Sequence, residues 1–105
     1  MMIEKGEMND ENNETLEIFP LQLFIAGSSP ISVRAIRNLI DICEEFLKDR
    51  YELDIIDAHQ QPELVKSEDV TAIPMLIKKS PSPKRRLIGD FSNREKVLRG
   101  LGISS

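Results

Sequence analysis

An α/β fold of element order βαβαββα is what this sequence predicts, and three observations predict it. The first is residues 21–47, where a short apolar run (Leu21, Leu23, Phe24, Ile25) turns through Ala26-Gly27 into a long amphipathic helix. The second is the alternation of Tyr51, Leu53 and Ile55 with Glu52 and Asp54 just beyond that helix. This is a second strand, and a helical connection of about 18 residues makes it parallel to the first with a right-handed crossover. The third is a pair of short apolar runs, Met75-Leu76-Ile77 and Leu87-Ile88-Gly89, flanking a Ser/Pro-rich turn and therefore read as a hairpin.

Residues 1–17 are acidic and asparagine-rich without periodicity, which predicts a flexible tail, and residues 18–105 are expected to form a single domain. The first strand spans about 18–25. Pro20 within it predicts an edge position, or a strand that begins just after the proline. Ser29 is a good N-cap and Pro30 falls at the first helical position, where its missing N–H costs nothing. Val33, Ile36, Ile40, Cys43 and Leu47 then recur at helical spacing, widened by Leu39 and Phe46, while Arg34, Arg37, Asp41, Glu44 and Lys48 stay outside the stripe.

After the second strand, residues 58–61 read as a loop and Pro62-Glu63 opens a short helix carrying Leu64 and Val65. Ile73-Pro74 precedes the third strand. Its X-Pro bond offers a fixed cis turn or a slow switch, with an ordinary trans proline the more frequent arrangement. Ser92 and Glu95 have the spacing of a capping box for the last helix, Val97, Leu98 and Leu101 give it an apolar side, and Gly100 and Gly102 allow it to end. The assembled order is the thioredoxin-like layout, a parallel pair plus an antiparallel hairpin in one sheet covered by helices.

Composition removes several functions. A net charge of -4 argues against a nucleic-acid or anionic-membrane partner, and Lys84-Arg85-Arg86 is too short a basic cluster to reverse that. With no membrane-length apolar run and no hydrophobic leader, the expectation is a cytoplasmic protein. One cysteine, Cys43, allows no intramolecular disulfide, and with His59 as the one histidine no Cys/His metal site is expected. Cys43 lies on the apolar stripe and reads as a buried thiol. Redox enzymes of this layout carry their cysteines where the first strand meets its helix, because the helix N-terminus lowers the thiolate pKa. Here that turn is Gly27-Ser28-Ser29-Pro30. Ser28 or Ser29 as a nucleophile would need a base, and His59 sits in a polar loop, so capping accounts for Ser29 more simply. No catalytic residue, metal or cofactor is expected.

Residues 23–27 (Leu-Phe-Ile-Ala-Gly), Ser29-Pro30, residues 32–35 (Ser-Val-Arg-Ala), Ile56-Asp57, residues 61–64 (Gln-Pro-Glu-Leu) and above all residues 88–98, IGDFSNREKVL, resemble the KaiB family of the cyanobacterial circadian clock. The resemblance runs from about residue 23 to 101. It implies a non-enzymatic regulatory protein that binds the ring of a KaiC-type ATPase of the RecA class and modulates its phosphorylation cycle, with KaiA-like or sensor-kinase factors as further partners. It also implies a homo-oligomer, dimer or tetramer, and an alternative ground-state packing of the second half, residues 60–101, beside the binding-competent thioredoxin-like state. Pro74, Pro81 and Pro83 lie in that segment and are the fold-switch candidates, since proline isomerisation would slow any exchange.

By position, the resemblance carries partner contacts onto Arg34, Glu52 and Asp54 on the first helix and second strand, and onto Asp69. Asp54 and Asp69 stand where cyanobacterial members tend to have lysine, and Ser82 interrupts a usual run of three prolines. The acidic N-terminus is longer and the C-terminal tail shorter than in the clock form. These departures point to a paralogue, or to a homologue from outside the cyanobacteria serving a stress response. Two other readings stand beside this one: a thioredoxin-fold enzyme with a serine site, and a redox-inactive interaction module competing with the KaiB-like sensor domain of a histidine kinase.

Overall fold

Apolar residues at alternate positions in β1 (Phe19–Ile25) face one side of a sheet, and Phe24 faces the other, so this strand is covered on both faces. The computed structural model describes residues 17–103, and of the expected tail only Glu17 falls among them. The elements that follow are α1 (Pro30–Phe46), β2 (Tyr51–Asp57), α2 (Pro62–Ser67), β3 (Met75–Lys78), β4 (Arg85–Ile88) and α3 (Arg94–Leu101). The strand order is β2-β1-β3-β4. β1 pairs in parallel with β2, in a register that sets Phe19 beside Tyr51 and Ile25 beside Asp57. β3 runs antiparallel to β1 and β4 antiparallel to β3. This is the predicted thioredoxin-like α/β architecture.

Two hydrophobic clusters lie on opposite faces of the sheet. The larger joins Phe19, Leu21, Leu23 and Ile25 to Leu39, Ile42 and Cys43 of α1 and to Val97, Leu98 and Leu101 of α3. The smaller joins Phe24, Ile56, Met75 and Ile77, with Leu64, Val65 and Val70 packed against it from α2 and its following loop. At about 1.5–3 kcal/mol for each fully buried large aliphatic side chain, the first cluster dominates cohesion.

Several sequence expectations are corrected in detail. Pro20 sits in a central strand, neither at an edge nor before the strand begins. It is tolerated because it meets β3 at the last rung, where its carbonyl accepts Lys79 N–H at 3.1 Å and its missing N–H forfeits only the reciprocal bond. α1 is rotated relative to the predicted stripe: Ser32, Ala35, Leu39, Ile42 and Cys43 are buried, whereas Val33 is 44% exposed. The small residues Ser32 and Ala35 let the helix approach the sheet closely, which outweighs the larger aliphatics beside them. Asn93, not Ser92, caps α3, its side chain accepting Lys96 N–H at 3.1 Å, while the hydroxyl and the N–H of Ser92 are both turned to the Asp90 carboxylate. Gly102 ends α3 in the left-handed conformation as expected, but Gly100 lies inside the helix. Pro74 follows a cis rather than a trans bond, as do Pro81 and Pro83; the small cis–trans difference of X-Pro lets the surrounding fold decide.

Candidate partner-binding surface

The turn between β1 and α1 is closed by hydroxyls. Ser29 accepts the Ser32 N–H at 3.4 Å and donates its hydroxyl to Ser32 Oγ at 2.9 Å, and Ser32 Oγ also accepts the Ala26 N–H at 3.0 Å. Ser32 is fully buried, so this network fixes the helix entry point. Cys43 lies remote from that turn in the core. Burial, with Glu44 adding to it, pushes its thiol up to about 12, far from a usable thiolate. His59 is exposed, its Nδ1 3.8 Å from Asp57. Among the described residues no group of three or more His, Cys, Asp or Glu side chains is placed to hold a metal ion, and no helix is long and apolar enough to cross a membrane.

What the fold does present is an incompletely covered sheet. Helix α2 has six residues and covers only the half of its face around Phe24, Ile56, Met75 and Ile77. On the other half, the parallel register sets Pro20 beside Glu52 and Gln22 beside Asp54. These residues line an open groove of about 460 Å3 with Lys79 at its margin. Because side chains alternate along a strand, Glu52 and Asp54 share this face, and both are exposed. Gln22 Oε1 is buried here without a hydrogen-bond partner among the described residues. Among the described residues β2 is also an edge strand, with no neighbour on its outer side, which suits pairing with a partner.

Lys79 is held by Glu68 at 2.6 Å, and Lys84 lies 3.8 Å from the same carboxylate. That hydrogen bond from Lys79, reinforced by the charges of Lys79, Lys84 and Arg86 against the opposing effect of burial, lowers the Glu68 pKa. Asp69 follows at once, exposed and with φ of 58°. Three of the four predicted contact residues, Glu52, Asp54 and Asp69, therefore belong to the α2 side of the sheet. Arg34 does not join them. It lies on α1, on the opposite side, paired with Asp90 at 3.3 Å in a contact where Arg34 itself is largely exposed. Asp90 is further fixed by the Ser92 hydroxyl and N–H, which with Arg34 keep its carboxyl below the ordinary range. Pro81 and Pro83 lie in the β3–β4 turn, and Pro74 immediately precedes β3.

Two features escaped the sequence reading. Gln22 and Lys79 border the acidic groove, and the polar Gln22 inside an apolar strand was the available signal. Val33, Ile36 and Ile40 form an outward apolar patch with a hollow of about 340 Å3 beside Arg37 and Asp41. The signal there was that α1 carries more aliphatic residues than one core stripe requires.

The KaiB domain family matches residues 22–103. The chain is 48% identical over 83 residues to the circadian clock protein KaiB3 of Synechocystis sp., covering 79% of this chain and 81% of that protein. It is 46% identical over 85 residues to the circadian clock oscillator protein KaiB of Thermostichus vulcanus, covering 81% and 79%. In fold it resembles the N-terminal domain of Synechococcus elongatus SasA, with a TM-score of 0.58 at 24% identity over 82% of this chain and 85% of that one. It also resembles mitochondrial thioredoxin 3 of Saccharomyces cerevisiae, with a TM-score of 0.66 at 16% identity over 87% and 83%.

Proposed function

The chain belongs to the KaiB family, and on that premise we propose that it is a non-catalytic regulatory protein which binds the ring of a KaiC-type ATPase and modulates its phosphorylation cycle. The setting is a circadian clock or a clock-derived stress response in the cytoplasm, and the protein works as a homo-oligomer that exchanges packing in its second half. The observation that carries this reading is a contrast within one fold. The position that holds thiols in redox thioredoxins is here a closed Ser29–Ser32 network, while the exposed chemistry lies on the edge strand and open groove at Glu52 and Asp54. An edge strand with a patterned charge surface suits recognition by a protein partner. A sensor-kinase domain of the same fold would compete for the same ring.

The test is co-elution on a sizing column with the KaiC-type ATPase from the same source, in ATP and in ADP, after long incubation. A shift to a ring-sized complex in either nucleotide is the expected result. Absence of any complex in both would remove the regulatory mechanism and leave only the fold.

A further inference from the structure

At the end of the sheet opposite the serine turn, the start of β1, the β3–β4 turn and the C-terminal ends of α1 and α3 enclose a groove of about 560 Å3. Its cations are Lys78 and Arg50, each 5.9 Å from the same Phe19 ring. Lys78 is only 2% exposed, and its polar partner among the described residues is the Leu101 carbonyl at a long 3.4 Å. Arg50 Nε is likewise buried without a hydrogen-bond partner among the described residues. Burial of the Lys78 ammonium this way disfavours its charged form, an effect that the nearby Glu17 carboxylate opposes. With the half-buried Arg50 beside it, the groove is a cationic seat suited to a further anion.

The sequence supplies one next door. Residues 1–16 hold five carboxylates (Glu4, Glu7, Asp10, Glu11, Glu14) against the single Lys5, so the whole net charge of -4 resides there and the remainder of the chain is neutral. The described chain begins at Glu17, which itself lines the groove. Glu14, three residues earlier, has a reach of roughly 10 Å from that point, and Glu11 roughly 20 Å, at about 3.3–3.6 Å per extended residue. We propose that this groove is the seat of the chain's own acidic N-terminal segment, residues 4–14, whose carboxylates neutralise Lys78 and Arg50. Tethered so close, the segment is present at an effective concentration on the order of millimolar, well above a free acidic peptide at cellular levels. It therefore acts as an internal competitor for the groove, and any anionic partner that docks on the β3–β4 turn must displace it. This occupancy is independent of whether the partner is a KaiC-type ring.

The experiment uses the full chain with Asn12→Cys carrying a nitroxide; Cys43, buried and protonated, stays unlabelled. The expected result is strong broadening of the amide signals of Ser80, Ser82 and residues 101–103. That broadening is expected to fall several-fold when salt is raised from about 0.05 M to about 0.5 M, and likewise when Glu7, Asp10, Glu11 and Glu14 are replaced by Gln or Asn. Neutralising the segment leaves the described fold untouched, so the test does not depend on Lys78→Met folding. Broadening spread evenly over the chain, centred on the Val33–Ile40 patch, or indifferent to neutralisation would overturn the proposal. So would equal broadening when label and isotope are on different molecules, which would place the segment on a second copy.

Discussion

Asp54 and Asp69 read alike in the sequence, two acids where cyanobacterial relatives favour lysine, but their backbones set different consequences for the same substitution. Asp54 is extended in β2 and exposed beside the open groove. Asp54→Lys is expected to leave stability within about 0.5 kcal/mol and to tighten binding to a cyanobacterial KaiC ring; unchanged affinity in a titration would remove β2 from the contact. Asp69 has φ of 58°, a region aspartate enters more readily than lysine, so Asp69→Lys should cost up to about 1 kcal/mol and lower the urea midpoint. Glu68, between them and the basic hairpin, makes pH matter. Its folded-state pKa is depressed, chiefly by the Lys79 hydrogen bond, so its stabilisation is present above the ordinary carboxylate value of about 4.3 and is lost as pH falls through the folded value. Glu68→Gln should be less stable than the parent by about 1 kcal/mol at neutral pH, with the gap closing in acid. Urea unfolding at both pH values tests this, and a gap that persists in acid would assign the loss to packing.

Among the elements, α3 shows most directly how a sequence signal can be right in kind and wrong in role. Gly100 looked like a terminator, yet it lies within α3, where an added Cβ would stand 2.5 Å from a Leu87 methyl on β4. Gly100→Ala would gain about 1 kcal/mol of helix propensity but should lose more to overpacking, a net cost of about 1–3 kcal/mol. Thermal unfolding measures it, and the double variant with Leu87→Ala should recover part of the loss; additive losses would disprove the contact. The same logic explains what could be read in advance. Strand and helix order was legible because it rests on local periodicity and caps, as at Ser29-Pro30. The buried face of α1 was not, because Val33, Ile36 and Ile40 offer as much apolar area as the true core positions. What decides between them is how near Ser32 and Ala35 let the helix come, a tertiary property. For the site, Glu52 and Asp54 shared a face by alternation alone, whereas the sheet that separates them from Arg34 had no local signature.

For the whole molecule, the two faces of the sheet are unequally held, and this bears on whether the second half can repack. Ser32, Ala35, Leu39, Ile42 and Cys43 of α1 are buried against β1, while α2 contributes no buried residue and its N-cap Gln61 makes no side-chain hydrogen bond. β4 is an edge strand whose residues are mostly exposed. Local opening free energy follows buried apolar contact, so amide exchange should be slowest in Leu23–Ile25 and across α1, and fastest in α2 and β4. β3 is the discriminating element. Met75, Leu76 and Ile77 are fully buried and paired to β1, so in a molecule with a single packing they should exchange only with global unfolding. If the second half repacks as a unit, β3 should open together with α2, β4 and α3 at a common free energy below that of α1, because leaving β1 exposes all four at once. Native-state hydrogen exchange as a function of urea separates the cases: merging of the β3 and α3 isotherms below the α1 isotherm supports an exchange of packing, and merging of β3 with α1 instead excludes it.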